Sequence, residues 1–138
     1  HTIQSLGKLS ADYSFDYILG IESRGFIFAS ALATHLHKGF VMVRKPNKLP
    51  PDIHQESYGL EYGSDTLEIS KHILQPNASV LIVDDVLATG GTIAAAARLV
   101  QKTGAQVAAA VCVLEIAGLN GSQLLNQVGI TNRCVITL

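Results

Sequence analysis

The sequence predicts an α/β fold: a mostly parallel twisted sheet flanked by helices, with a protruding β-hairpin lid, all within one domain over residues 1–138. Three observations carry this. Short apolar runs (YILGI, FVMV, VLIV, VAAAVCVL) alternate with helical patterns, which is the signature of crossover units that join parallel strands. Gly63 sits between two strand-like stretches, Ser57 to Glu61 and Thr66 to Ser70, which suggests a hairpin off the sheet. At 138 residues the chain is about one domain long, enough to bury close to two thirds of its unfolded surface without disulfide or metal staples.

Taken in order, HTIQSLGKL is helix-like, and because it starts at His1 the natural start of the chain is expected upstream. Tyr17 to Ile21 reads as a buried strand. After ESRG, FIFASALATHL is a helix apolar nearly all round, stopped near Lys38 and Gly39 and expected to be covered on more than one side. Phe40 to Val43 is the next strand and runs into RKPNKLPPDIHQE, a basic loop long enough to be functional or mobile. Past the hairpin, Pro76 and Asn77 mark a turn before the strand Val80 to Val83. Ile93, Ala97 and Val100 then recur at helical spacing, with Lys102 in the last turn and Gly104 as the stop. Val107 to Leu114 is a buried strand, Gly118 to Gly129 a short helix and loop, and Val135 to Leu138 a last strand.

Composition narrows the function classes. The formal net charge is -1, so no long-range field draws in nucleic acid or an anionic membrane, and any anion must be held locally. No apolar run approaches the ~20 residues of a membrane helix, and no signal peptide is visible. Cys112 and Cys134 each lie in an apolar run, as expected of buried, reduced thiols in a cytoplasmic protein. His35 and His37, two apart on a helix, point to different sides and have no cysteine or acid to complete a zinc set; His54 falls in the basic loop with a surface role.

The chemistry concentrates in VLIVDDVLATGGT, Val80 to Thr92. In open parallel sheets ligands bind beyond the carboxyl ends of the strands, where this run puts Asp84 and Asp85. The turn Ala88, Thr89, Gly90, Gly91, Thr92 can aim several backbone N–H groups at one point. The helix that begins near Gly91 adds its positive dipole end, and the two glycines leave room for a phosphate. Like charges repel, so the acid pair must face a different part of the ligand: vicinal ribose hydroxyls, or a hydrated magnesium ion. A sugar phosphate satisfies both halves. A P-loop would need a lysine where Thr92 stands, the G-x-G-x-x-G pattern is absent, and no receiver-like set of acid and lysine is present.

This thirteen-residue stretch resembles the phosphoribosyl pyrophosphate motif of the type I phosphoribosyltransferases along its full length. ESRGF, VRKPNKLP and YGLEYG, in that order and at similar spacing, resemble the adenine phosphoribosyltransferases within that group. The resemblance covers nearly the whole chain. It implies transfer of phosphoribosyl from 5-phosphoribosyl 1-pyrophosphate to adenine, giving AMP and pyrophosphate, with Mg2+ as cofactor, in the cytoplasm and as a homodimer. Asp84 and Asp85 would meet the ribose hydroxyls or, through water, the metal, and Ala88 to Thr92 would wrap the 5′-phosphate. Glu22, Ser23, Arg24 and Gly25 match the pyrophosphate loop, with a cis peptide expected at Glu22–Ser23. Arg44, Lys45 and Lys48 match cationic positions near the pyrophosphate. Glu61 and Tyr62 match the lid: a glutamate there would handle the purine N7 proton, and the tyrosine would close over the site. The arginine-containing hood that the family carries ahead of the first strand has no match here, nor does its C-terminal tail, so base recognition is expected to be the less complete half. Two alternatives are a phosphoribosyltransferase for another base and a non-catalytic nucleotide-sensing regulator with the same fold.

Overall fold

The computed structural model describes residues 1–59 and 63–138. The assignments made to Glu61 and Tyr62 fall outside them. Helix α1 (Thr2–Ser10) leads into β1 (Tyr17–Ile21), α2 (Arg24–Leu36) and β2 (Gly39–Val43). The hairpin β3 (Ile53–Gly59) and β4 (Ser64–Ser70) follows, then β5 (Ser79–Leu87), α3 (Gly91–Lys102) and β6 (Gln106–Glu115). A 3-10 turn (Ala117–Leu119), α4 (Gly121–Gln127) and β7 (Asn132–Thr137) complete the chain.

Five strands pair in parallel in the order β2-β1-β5-β6-β7, and β3 pairs antiparallel with β4 as a separate ribbon. Successive strand residues point to opposite faces, so neighbours in sequence enter different cores. Ile18, Leu81, Val83, Ala109 and Val111 pack with Leu6 of α1 and Leu32 of α2 on one face. Leu19, Ile21, Val41, Ile82 and Ala110 pack with Ile93 and Leu99 of α3 and with Leu67 and Ile69 of the hairpin on the other. Fully burying each such Leu or Ile side chain contributes about 1.5–3 kcal/mol before conformational entropy is subtracted.

The chain leaves β1 toward β2 on one side and leaves β5 toward β6 and β7 on the other, so the topological switch point lies between β1 and β5. Those two strands pair from Tyr17 with Val80 to Gly20 with Val83. Beyond that β5 continues against β6 alone, Asp84 opposite Cys112 and Val86 opposite Leu114. A crevice therefore opens at the carboxyl end of β1, with the acid pair on its wall.

Several elements differ from their sequence-based bounds. β3 begins at Ile53, inside the stretch expected to be loop, because Ile53 to Glu56 complete the register with Leu67 to Ser70. His54 is thus a strand residue opposite Ile69 rather than a loop residue. Burial and the charges of Lys71, Lys102 and His72 hold its pKa below the usual histidine value. Helix α2 starts at Arg24 and ends where His37 turns left-handed, and only one face is covered, with Ile27 66% exposed. β5 extends through both aspartates to Leu87, and β7 begins at Asn132 because an edge strand tolerates polar residues such as Asn132 and Arg133. Both thiols are free; Cys112 is buried, while Cys134 on the edge strand is only half-buried.

Candidate active site

At the switch point lies a cavity of about 620 Å³. Its floor is Ile21, Glu22, Ser23 and Arg24, and its walls include Lys45, Tyr58, Asp84, Asp85, Val86, Ala88, Thr92 and Ile116. Residues from the pyrophosphate-loop match, the basic loop and the stretch Val80 to Thr92 therefore face one space.

The link between β1 and α2 carries a cis peptide at Glu22–Ser23, as the resemblance implied. Ser23 caps α2 and Gly25 lies in its first turn, where a Cβ would come within 2.6 Å of Asp84 Oδ1. Only glycine lets the positive end of this helix approach the acid pair so closely.

The two aspartates differ in environment. Asp84 is 8% exposed, and its Oδ1 accepts the Asp85 backbone N–H at 2.9 Å. Burial, aided by the neighbouring Asp85, pushes its pKa up to about 7. For Asp85 burial also acts upward, but the Arg24 guanidinium outweighs it and holds the carboxyl below the usual range; Arg24 Nε donates to Oδ2 at 2.5 Å. Asp84 thus stands as a buried carboxylate with no ion pair of its own among the described residues. A hydrated cation or a pair of hydroxyl donors fits that need. Among the described residues no three metal-ligating side chains cluster, so a cation here would complete its shell with water and ligand oxygens.

The turn Ala88–Thr92 has the geometry of an anion cradle. Gly90 takes φ 89 as the N-cap of α3, and Gly91 opens the helix. A hollow of about 60 Å³ is lined by Val86, Ala88, Thr89, Gly90 and Thr92. The first N–H groups of α3 have no acceptor within the helix and remain available to a phosphate. The turn is braced from below by Gly121, whose added Cβ would meet Ala88 O at 2.3 Å and Leu87 Cδ1 at 2.8 Å. Gly121→Ala is expected to lower stability by about 2–3 kcal/mol, read by urea unfolding, because backbone rather than a flexible side chain must move. An unchanged midpoint would show that α4 does not brace the turn.

Of the four predicted cations Arg24 and Lys45 line the cavity, whereas Arg44 and Lys48 stand behind Glu22 and are not among its lining residues; each is held by a protein carboxylate. Glu22 is the hub: Oε1 accepts Arg44 Nε and the Lys45 backbone N–H, both at 3.1 Å, and Oε2 accepts Lys48 Nζ. Burial works against this carboxyl, but Lys48, the Lys45 N–H and Arg44 outweigh it and lower its pKa. Lys45 Nζ pairs with Asp65 of β4, which also accepts the Tyr58 hydroxyl at 3.2 Å. Burial would depress Lys45, yet Asp65 more than compensates, and the ammonium is raised above its ordinary pKa. The hairpin itself is anchored on α3, where Glu56 accepts Arg98 Nε at 3.0 Å and Lys102 Nζ at 2.9 Å.

Sequence reasoning did not single out Tyr58, Asp65, Ile116 or Gly121. Ile116, 38% exposed on the cavity wall, is an apolar side chain left uncovered beside polar groups, and its place after the β6 run was the one signal available.

The phosphoribosyl transferase domain model matches residues 3–127. Adenine phosphoribosyltransferase of Polynucleobacter asymbioticus is 56% identical over 135 residues, covering 98% of this chain and 78% of the relative. The crystal structure of adenine phosphoribosyltransferase from Thermoanaerobacter pseudethanolicus superposes with a TM-score of 0.95 at 42% identity, covering 99% of this chain and 78% of that one. The Saccharomyces cerevisiae enzyme, solved with an imino-altritol bisphosphate and adenine, has a TM-score of 0.87 at 39% identity, covering 96% of this chain and 76% of that one. The chain belongs to the phosphoribosyl transferase family and, within it, to the adenine phosphoribosyltransferases.

Proposed function

We propose that this chain is a purine-salvage enzyme working as one phosphoribosyltransferase-like domain. It transfers phosphoribosyl from 5-phosphoribosyl 1-pyrophosphate to adenine and releases AMP and pyrophosphate. The observation that carries this is the cavity itself: it is lined by an acid pair and by Arg24 and Lys45, and it adjoins the small hollow at the Ala88–Thr92 turn. A ribose with a phosphate at one end and a pyrophosphate at the other has the matching charge pattern.

In this reading Ala88 to Thr92 bind the 5′-phosphate through backbone N–H groups. Arg24, Arg44, Lys45 and Lys48 exchange their carboxylate partners for the pyrophosphate, with Ser23 and Gly25 adding N–H donors from the start of α2. Before the ligand arrives, Glu22 holds Arg44 and Lys48 together and accepts the Lys45 backbone N–H. Asp84 and Asp85 orient the ribose hydroxyls and oppose the positive charge that develops at the anomeric carbon as pyrophosphate departs. Asp84 and Asp85 would hold Mg2+ through water, and the ion would supply positive charge against the leaving pyrophosphate. Ile116 offers an apolar surface to the flat base. Glu61 takes the N7 proton and Tyr62 covers the site.

The deciding experiment offers phosphoribosyl pyrophosphate and Mg2+ with each base in turn and follows pyrophosphate release. Turnover with adenine alone is expected. Turnover only with another base would move the assignment within the family, and tight binding without turnover would point to a regulator. Glu61→Ala is expected to lower kcat about a hundredfold with little change in the KM for phosphoribosyl pyrophosphate. A change confined to KM would make Glu61 a covering residue alone.

Two further properties belong to the same reading. The chain pairs as a homodimer through the uncovered apolar residues Ile27 on α2 and Met42, 41% exposed, on the edge strand β2; sedimentation would read the mass. It works in the cytoplasm, where two free thiols stay reduced. Among the described residues no helix is long and apolar enough to cross a membrane.

A further inference from the structure

We propose that Glu68 is a positioning residue for the transfer reaction: from the hairpin it fixes the course of the basic loop, and so sets where Arg44, Lys45 and Lys48 stand. This rests on the reading above, in which those cations hold pyrophosphate.

Glu68 lies on β4 and is 2% exposed. Its backbone makes an isolated bridge to the loop, donating to Arg44 O at 2.8 Å and accepting from Arg44 N–H at 2.9 Å. Its carboxylate reaches the same loop three residues on, where Oε1 accepts the Asn47 backbone N–H at 3.2 Å; Oε2 accepts the side-chain amide of Gln55, the residue opposite on β3. One residue therefore grips the loop at two points that bracket Lys45 and Pro46, with Lys48 directly after the second. Asn47 has φ 68, in the left-handed region, so the direction of its N–H is defined by that turn. Without the acceptor the donor would be left unpaired, and the chain from Pro46 to Lys48 would be free to relax away from the cavity.

Among the described residues no cation pairs with this carboxylate. A buried charge without an ion pair is costly, and a negative charge close to a polyanion site does not help the ligand. Its acceptor geometry is what the loop uses. Glutamine keeps an acceptor for the Asn47 N–H and removes the charge, whereas methionine fills a similar volume and removes both.

The test compares wild type, Glu68→Gln and Glu68→Met by calorimetry with pyrophosphate and Mg2+, alongside steady-state kinetics and thermal melting. Glu68→Met is expected to weaken pyrophosphate and raise the KM for phosphoribosyl pyrophosphate about tenfold, with kcat and the KM for adenine within about threefold of wild type. Glu68→Gln is expected to bind pyrophosphate within about threefold of wild type. Equal pyrophosphate affinity in folded Glu68→Met, or a tenfold loss in folded Glu68→Gln, would overturn the proposal. So would a loss confined to kcat. Wild-type protein that binds no pyrophosphate would instead overturn the site reading on which the proposal rests.

Discussion

Replacing Asp84 and Asp85 together with asparagine is expected to lower kcat/KM for phosphoribosyl pyrophosphate by about a thousandfold while the protein stays folded. Asparagine has the same shape, so the crevice between β1 and β5 keeps its outline. The one ion pair lost is Arg24 with Asp85, whose arginine side chain is 77% exposed, and such a pair contributes little to stability. On the proposed reading, what disappears is negative charge beside the ribose that becomes positively charged, together with the oxygens that would hold a hydrated cation. Binding of free adenine should change little. Pyrophosphate release with adenine, followed beside far-ultraviolet circular dichroism, checks both halves. Wild-type rates in a folded double variant would remove the pair from the mechanism, and loss of the circular dichroism signal would make their role structural.

The parts of the site that were legible in the sequence are those whose chemistry is local. VLIVDDVLATGGT carries its strand, its acids, its turn and its helix start within thirteen residues, and β1, α3 and the turn lie close to their expected bounds. ESRG after the first strand marked the loop with its cis peptide, although α2 begins within it, at Arg24, rather than after it. What stayed hidden depends on partners far along the chain. Asp65 meets Lys45 twenty residues away, and Glu22 meets Lys48 across twenty-six. Nothing near Glu68 in sequence signals that it grips Asn47. Gly121 read as part of a short helix and loop, yet it is the floor beneath Ala88. The early start of β3 was concealed because its alternation becomes visible only against β4, and most of its side chains are only half-covered. Asp84 and Asp85 read as identical neighbours; one ended buried and the other paired with an arginine sixty-one residues upstream.

That asymmetry has a measurable consequence for stability in the absence of ligand and metal. The Asp84 carboxyl titrates at about 7 in the folded chain against an ordinary value of 3.8. Between those two pH values the folded state binds more protons than the unfolded state, so this group's contribution to stability falls as pH rises through the window. It is fully present near pH 4 and lost above about pH 7, with a ceiling of about 4 kcal/mol. Asparagine at this position carries no charge at any pH. The difference in stability between Asp84→Asn and wild type should therefore be small near pH 4, grow with pH, and level off above about pH 7 with the variant the more stable. Taking the difference removes the opposite trend of Glu22, Glu56 and Asp65, whose lowered values weaken both proteins alike in acid. Urea unfolding in the presence of a chelator, at several pH values, reads the curve. A variant less stable than wild type at about pH 8 would show that the carboxylate makes a favourable interaction in the free protein, against the burial argument. Repeating the series with phosphoribosyl pyrophosphate and Mg2+ should reverse the order above about pH 7, because the ligand then supplies the donors and cation that the buried charge lacks.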